Sequence, residues 1–277
     1  MTYASQLYLN GEELKHAVFP EGITSIGSYL FNGCTSLESV TIPGTLRFVS
    51  YGAFQDCTSL SAVHIRDVAD WSTIEFESLT ANPLYYAKNL YENGDLVTKL
   101  VLPSTVSAIP AFNFCNCTAL TSVQLSNALM IIGPGAFYGC TGLTEITLPI
   151  SVSQIGYSAF QGCTGLTEIV IPYGVTAIQS HTFKGCSNLS NVQIPSTVRQ
   201  IGSYAFGDCE SLTEIILPKS VSTVGYCAFC GCKNLQSITL SRYTIINTSY
   251  CCDCHASLKL TYYPEYGKGD YPDYGKG

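Results

Sequence analysis

The chain has 277 residues, of which 46% are hydrophobic and 12% are charged, so it contains enough apolar material for a large buried core. Its 13 basic and 20 acidic residues argue against a nucleic acid or an anionic membrane as partner, because both need clustered lysine and arginine. No stretch is long and apolar enough for a transmembrane helix, and the first 30 residues show no signal-peptide pattern, so membrane insertion is not expected.

A motif with a period of 23 residues accounts for most of the chain. Its unit reads Cys-x-x-Leu-x-x-(Ile/Val)-x-(Ile/Leu)-Pro-x-x-Val-x-x-Ile-x-x-x-(Ala/Thr)-Phe-x-(Gly/Asp) and is clearest from Cys140 to Cys209. One unit buries too few apolar residues to fold alone, so a fixed period of this length predicts a stacked solenoid. Eight cysteines, the ladder cysteines, share one position: Cys34, Cys57, Cys117, Cys140, Cys163, Cys186, Cys209 and Cys232. Eight phenylalanines, three residues earlier, predict an unbroken aromatic spine: Phe31, Phe54, Phe114, Phe137, Phe160, Phe183, Phe206 and Phe229.

The N-terminal part contains the same hairpin signal twice. Residues 1–34 match residues 84–117 at a constant offset of 83, and both copies contain Asn-Gly between apolar residues, which predicts a tight β-hairpin. Two units would place Cys117 46 residues after Cys57, but the interval is 60 residues. We therefore predict an insert at about 66–96, and the second hairpin signal lies at its end. In the insert, Asn82 and Pro83 predict the start of a short helix. Counting back from Pro103 places Gly94 in the cysteine position.

Alternation within the unit predicts a β-strand followed by a short return. Ile169 and Ile171 are two residues apart and should face the interior, whereas Glu168 and Val170 should face outward. The second half of the unit is too short for a long helix, so it predicts a brief strand or a 3₁₀ return.

The pattern decays after Leu240. By the period of 23, His255 takes the cysteine position and Cys252 the phenylalanine position, so residues 241–263 predict an atypical capping repeat. Residues 264–277 contain a short motif rich in Pro, Tyr and Gly twice, which predicts a flexible tail. The domain assignment is therefore one solenoid over residues 1–263 and a tail over 264–277.

A cysteine-rich cluster near the C-terminus has the residue types for sulfur or metal chemistry. Because neighbouring coils superpose residues 23 apart, Cys227 should lie near Tyr250 and Cys251, and Cys230 near Asp253 and Cys254. Three interpretations stay open: a zinc site, a disulfide, or plain capping thiols. We assign no metal site and no cofactor. We expect the ladder cysteines to be reduced and buried, and any disulfide or metal to lie within one set: Cys227, Cys230, Cys251, Cys252 and Cys254.

Catalytic motifs are absent from the sequence. It contains no phosphate-binding glycine loop, no Gly-x-Ser-x-Gly and no His-Glu-x-x-His, and its four histidines are scattered. We therefore expect a protein that is not an enzyme.

The repeat resembles the 23-residue bacterial leucine-rich repeat of the BspA-like (Treponema pallidum-type) class over roughly residues 12–258. The resemblance rests on the unit quoted above and on eight Phe-x-x-Cys segments in register. It implies a right-handed, β-rich leucine-rich-repeat solenoid with a concave parallel β-sheet and short strand or 3₁₀ returns on the convex side. It also implies an extracellular or cell-surface protein that binds host proteins or other cells.

The outward strand positions, five and seven residues after each ladder cysteine, are the candidate ligand-binding surface. Adjacent parallel strands lie about 4.8 Å apart, so coils four to seven would present three carboxylates in one continuous column, suited to a basic or amphipathic protein. The alternatives are that these residues only keep the sheet soluble, that the repeats target a larger enzyme or effector, or that they form a structural spacer. The candidate residues are Glu145, Thr147, Glu168, Val170, Asn191, Gln193, Glu214 and Ile216.

Overall fold

The chain forms a parallel β-solenoid of about 11 turns with almost no helix, as the repeat predicts. The computed structural model describes residues 8–9, 12–247, 249–254 and 256–264. His255 and, apart from Pro264, the predicted tail lie outside these residues, so the domain boundary stays a prediction. No helix within the described residues is long and apolar enough to cross a membrane.

Most turns contribute one strand of two to four residues to the concave sheet and one strand of two residues to the convex return. The concave strands are β3 (His16–Val18), β5 (Ser39–Thr41), β7 (Ala62–Ile65), β9 (Leu90–Glu92), β11 (Lys99–Val101), β13 (Ser122–Gln124), β15 (Glu145–Ile146), β17 (Glu168–Val170), β19 (Asn191–Gln193), β21 (Glu214–Ile216), β23 (Ser237–Leu240) and β25 (Lys259–Tyr262). The convex strands are β4 (Ser25–Ile26), β6 (Phe48–Val49), β8 (Glu75–Phe76), β12 (Ala108–Ile109), β14 (Ile131–Ile132), β16 (Gln154–Ile155), β18 (Ala177–Ile178), β20 (Gln200–Ile201), β22 (Thr223–Val224) and β24 (Ile245–Ile246). The brief-strand alternative for the return is thus correct.

Buried and exposed residues alternate along the concave strands, as predicted. Ile169 and Ile171 are 1% and 2% exposed, whereas Val170 between them is 54% exposed. Concave strands pair in parallel at the repeat period, for example Glu168 with Asn191. Hydrogen bonding among the described concave strands divides them into four groups: β3-β5-β7-β9, β11-β13-β15, β17-β19 and β21-β23-β25.

The phenylalanine spine is two stacks rather than the unbroken column predicted. From Phe114 to Phe229, ring centroids of successive coils lie 5.5–5.7 Å apart and the rings are within 13° of parallel. Phe31 and Phe54 form a second stack with centroids 5.1 Å apart. The insert separates the stacks. In regular coils the N–H of a spine phenylalanine donates to the carbonyl of the residue before the next spine phenylalanine, as Phe31 does to Ala53. Phe54 donates instead to the carbonyl of Thr80, which belongs to the insert.

The ladder cysteines are buried free thiols, as predicted. The structure adds a hydrogen bond that packing arguments did not predict. Most of these thiols donate to the backbone carbonyl of the spine phenylalanine in the preceding coil, over 3.0–3.2 Å. The pairs are Cys57 with Phe31, Cys140 with Phe114, Cys163 with Phe137, Cys186 with Phe160, Cys209 with Phe183, and Cys232 with Phe206. The two columns therefore bond these six coils to the coils before them.

The insert folds as a decorated coil. It contains α1 (Val68–Trp71), a 3₁₀ helix (Leu79–Ala81) and α2 (Leu84–Ala87). The Asn82 side chain accepts from the Leu84 N–H over 2.9 Å, which confirms the predicted helix start. The Trp71 indole donates to the Asn113 carbonyl, and the Asn113 amide donates back to the Trp71 carbonyl, each over 3.1 Å. These bonds join the insert to the next regular coil.

The Asn-Gly segment of the insert lies in a hairpin turn, and Asn10 and Gly11 lie outside the described residues. In the insert, β9 pairs antiparallel with β10 (Asp95–Leu96), and Asn93 and Gly94 have φ of 51° and 93°, the left-handed values of a tight hairpin turn. At the N-terminus, β1 (Tyr8–Leu9) pairs antiparallel with β2 (Glu12–Glu13) at the matching offset. The placement of Gly94 in the cysteine column was wrong, because the hairpin carries it to the exposed turn.

The last coil is one residue shorter than the others. Thr244 still bonds to Val221 at a spacing of 23, but Thr223 pairs with Ile245 and Ser237 with Lys259 at a spacing of 22. One residue is therefore lost between Thr244 and Ile245. The assignment of His255 and Cys252 to the ladder and spine positions was wrong by one residue.

Candidate functional site

The candidate binding residues all lie exposed on the outer side of the concave strands. Pairing aligns Glu168 with Asn191 and Val170 with Gln193 in neighbouring coils. Hydrogen bonding between concave strands stops between β15 and β17 and again between β19 and β21 in the part of the chain that the structure describes. The surface therefore spans three hydrogen-bonded groups instead of one uninterrupted sheet.

An open depression of about 370 Å³ lies beside the paired strands β13 and β15. Its lining comes from β13, β15 and the segments that follow them, and includes Glu145 and Thr147. The lining side chains of Ser122, Gln124 and Asn127 add hydroxyl and amide groups. The depression thus combines one carboxylate with neutral hydrogen-bonding groups.

The outer column, which is the strand position of Val170 and its equivalents in the other coils, contains more apolar residues than the candidates alone indicate. Val170 and Ile216 are 54% and 56% exposed, and Val18 and Val101 occupy the equivalent strand position with 72% and 60% exposed. Val18 and Val101 were missed because the prediction was confined to coils four to seven. The period of 23 carries the signal that would have found them.

The C-terminal cluster contains two disulfides, Cys230–Cys252 and Cys251–Cys254. The open alternatives are thus decided in favour of the disulfide, and it lies within the predicted set. The predicted neighbours were wrong by one residue, because the short coil brings Cys252 and not Asp253 opposite Cys230. Cys254 takes the ladder position, with its Sγ 3.2 Å from the Phe229 carbonyl oxygen.

A third sulfur lies beside the first disulfide. The sulfurs of Cys227, Cys230 and Cys252 all lie within 4.8 Å of one another, a spacing that would admit a metal ion if all three were reduced. In the structure two of them form the disulfide, while Cys227 is a free thiol with its Sγ 3.6 Å from that of Cys252. A hydrogen bond with Cys227 raises the pKa of Tyr204.

Burial keeps the ladder thiols protonated. Burial raises the pKa of Cys117 and Cys186 to about 12, and that of Cys140, Cys163 and Cys209 well above the ordinary thiol value. A thiol that stays protonated is a poor nucleophile and a poor metal ligand. Sulfur chemistry is therefore expected in the terminal coil and not in the ladder.

The 23-residue period and the strand arrangement define a leucine-rich-repeat solenoid. The family described as BspA type Leucine rich repeat region matches residues 3–83, 85–211 and 176–266 in 6 copies, so the chain belongs to that family. Proteins of this kind generally bind other proteins and are generally non-catalytic.

Three solved structures illustrate the likeness. A leucine rich cell surface protein from Faecalibacterium prausnitzii is 23% identical, with 91% of this chain and 88% of that chain covered and a TM-score of 0.46. The T. pallidum Leucine Rich Repeat protein is 26% identical, covering 72% and 78% with a TM-score of 0.42. A leucine-rich repeat protein from Eubacterium ventriosum is 23% identical, covering 79% and 82% with a TM-score of 0.45. No curated protein matches the chain.

Proposed function

We propose that this chain is a non-catalytic scaffold that binds a protein ligand through its concave sheet, as a module of a cell-surface or secreted adhesion protein. The observation that carries the proposal is the outer strand column, where exposed apolar side chains alternate with polar ones along the solenoid. If these positions only kept the sheet soluble, all would be polar. Instead Val18, Val101, Val170 and Ile216 are each more than half exposed. Single exposed apolar residues are common on protein surfaces, so the recurrence of these residues at one strand position, and not the exposure of any one of them, supports the proposal.

The carboxylates define the chemistry of the partner. Glu145, Glu168 and Glu214 are exposed at equivalent strand positions on the same face, and the chain has a net charge of −7. A basic or amphipathic protein segment would meet the carboxylates with its cations and the apolar column with its hydrophobic side. Such an interaction weakens as salt screens the charges.

The terminal disulfides support an extracellular or surface location. Disulfides persist in oxidising compartments and are rare in the cytosol. Cys230–Cys252 and Cys251–Cys254 both lie in the last two coils. They would protect the end of the stack outside the cell.

The test is a triple substitution, Glu145→Gln with Glu168→Gln and Glu214→Gln, assayed for binding to immobilised host matrix proteins at low and high salt. We expect binding to weaken by about tenfold, since exposed charge pairs contribute roughly 0.2–1 kcal/mol each, and its salt dependence to flatten. Thermal stability should change little. The matched control replaces three exposed glutamates elsewhere by glutamine, which removes the same charge: Glu13, Glu21 and Glu75. Equal loss in both variants, or no loss in the first, contradicts the proposal.

A further inference from the structure

The terminal coil places a free thiol beside a disulfide. Cys227 is a free thiol and only 3% exposed, and its Sγ lies 3.6 Å from that of Cys252 in the Cys230–Cys252 disulfide. The short coil creates this contact, because losing one residue brings Cys252 opposite Cys230 and close to Cys227. Thiol–disulfide exchange needs a thiol next to one sulfur of a disulfide.

Only one of the two cysteines in the Cys230–Cys252 disulfide is exposed to solvent. Cys230 is 7% exposed and Cys227 3%, whereas Cys252 is exposed to solvent. A thiol arriving from solution therefore meets the Cys252 sulfur first. The direction of attack fixes which sulfur leaves, and that sulfur is Cys230.

The leaving sulfur has a hydrogen-bond donor. The Cys252 backbone N–H donates to the Cys230 Sγ over 3.0 Å. A donor at this sulfur stabilises the thiolate that forms when the disulfide opens, and a better leaving thiolate speeds exchange. The ladder thiols from Cys34 to Cys209 have only reduced cysteines as neighbours in their column and take no part.

We propose that the terminal coil is a thiol–disulfide exchange site for external thiols, with Cys252 as the attacked sulfur and Cys227 as the resolving thiol. The external thiolate bonds to Cys252, the bond to Cys230 breaks, and Cys230 takes the electron pair and then a proton. Cys227 gives up its proton and attacks Cys252, and the external thiolate leaves and is reprotonated. The disulfide has then moved to Cys227–Cys252 with no net oxidation.

The experiment compares two variants, Cys230→Ser and Cys227→Ser with Cys230→Ser, treated with glutathione disulfide. In the single variant, glutathione disulfide first forms an adduct on Cys252, which Cys227 then displaces, so the expected products are a Cys227–Cys252 disulfide and two glutathione thiols. In the double variant the adduct on Cys252 should persist, with at least about tenfold higher occupancy by mass spectrometry. Cys251→Ser with Cys254→Ser, added to both, is the control and should leave this difference unchanged.

Two results would overturn the proposal: equal adduct occupancy in the two variants, or an adduct that maps to a cysteine other than Cys252. The unmutated chain gives a second readout that does not depend on the folding of any variant. In a buffer of reduced and oxidised glutathione, peptide mapping should find both the Cys230–Cys252 and the Cys227–Cys252 linkages, and finding only the first contradicts exchange. Repeating the reaction with a mixed disulfide of a single-cysteine peptide shows whether protein thiols are also accepted or only small ones.

Discussion

The regular ladder from Cys140 to Cys232 and the terminal coil use the same column position for different sulfur chemistry. In the ladder, a buried thiol such as that of Cys232 donates to the carbonyl of Phe206. In the terminal coil, Cys254 lies in the equivalent place near the Phe229 carbonyl but is bonded to Cys251 and has no proton to donate. A coil within the stack is held by strand pairing to neighbours on both sides, whereas the last described coil pairs with the coil before it and is also joined to it by the Cys230–Cys252 disulfide.

The largest expected effect is on stability at alkaline pH and concerns the ladder side of this comparison. Burial raises the pKa of five ladder thiols, Cys117, Cys140, Cys163, Cys186 and Cys209, and of Cys115, a further buried free thiol two residues before Cys117. In the unfolded chain thiols ionise near pH 8.5. The unfolded state therefore loses protons first, and stability that is complete below about pH 8.5 falls as the pH rises toward about 12.

Each thiol should cost about 1.4 kcal/mol per pH unit in this window, so on the order of 6–8 kcal/mol is lost between about pH 9 and pH 10. Urea unfolding at a series of pH values measures this loss. Cys163→Ala is the matched control, because it removes one thiol and should reduce the slope by about 1.4 kcal/mol per pH unit. A free energy of unfolding that stays constant across this range would contradict the burial of the thiols.

The next effect compares the middle of the spine with its end. Phe206 stacks on Phe183 and Phe229, with ring centroids 5.5 and 5.7 Å away, and is fully buried. Phe31 is 7% exposed and belongs to the shorter N-terminal stack. Phe206→Ala should lower the free energy of unfolding by about 3–5 kcal/mol through lost burial and a cavity, and Phe31→Ala by less. Equal losses in urea unfolding would show that position in the stack does not matter.

The regular part of the fold could be predicted because each unit repeats the same local rules. The spacing of Ile169 and Ile171 specifies the strand face, and Asn93 with Gly94 specifies the hairpin through the left-handed conformation that both residues tolerate. The exposure of Glu168 and Glu214 follows from the same alternation. Each of these features depends on residues close together in sequence.

Features that depend on one inserted or lost residue could not be predicted. The residue lost after Thr244 moves Cys254 into the ladder position, and nothing local in the sequence shows where the loss occurs. In the insert, the hairpin moves Gly94 to the surface, so counting residues back from Pro103 gave the wrong position for it. The side-chain to backbone bonds between Trp71 and Asn113 join residues 42 positions apart, and no period relates those positions.

The central claim is that the ladder thiols are reduced and buried while the disulfides are confined to the terminal coil, and cysteine mapping tests it most directly. The folded protein is alkylated, then unfolded without reductant and alkylated with a second reagent, and its peptides are analysed by mass spectrometry with the disulfides intact. We predict that the ladder cysteines react with neither reagent until unfolding and that disulfide-linked peptides contain only residues between Cys227 and Cys254. A disulfide between two ladder cysteines, or rapid alkylation of Cys163 in the folded protein, would contradict the account.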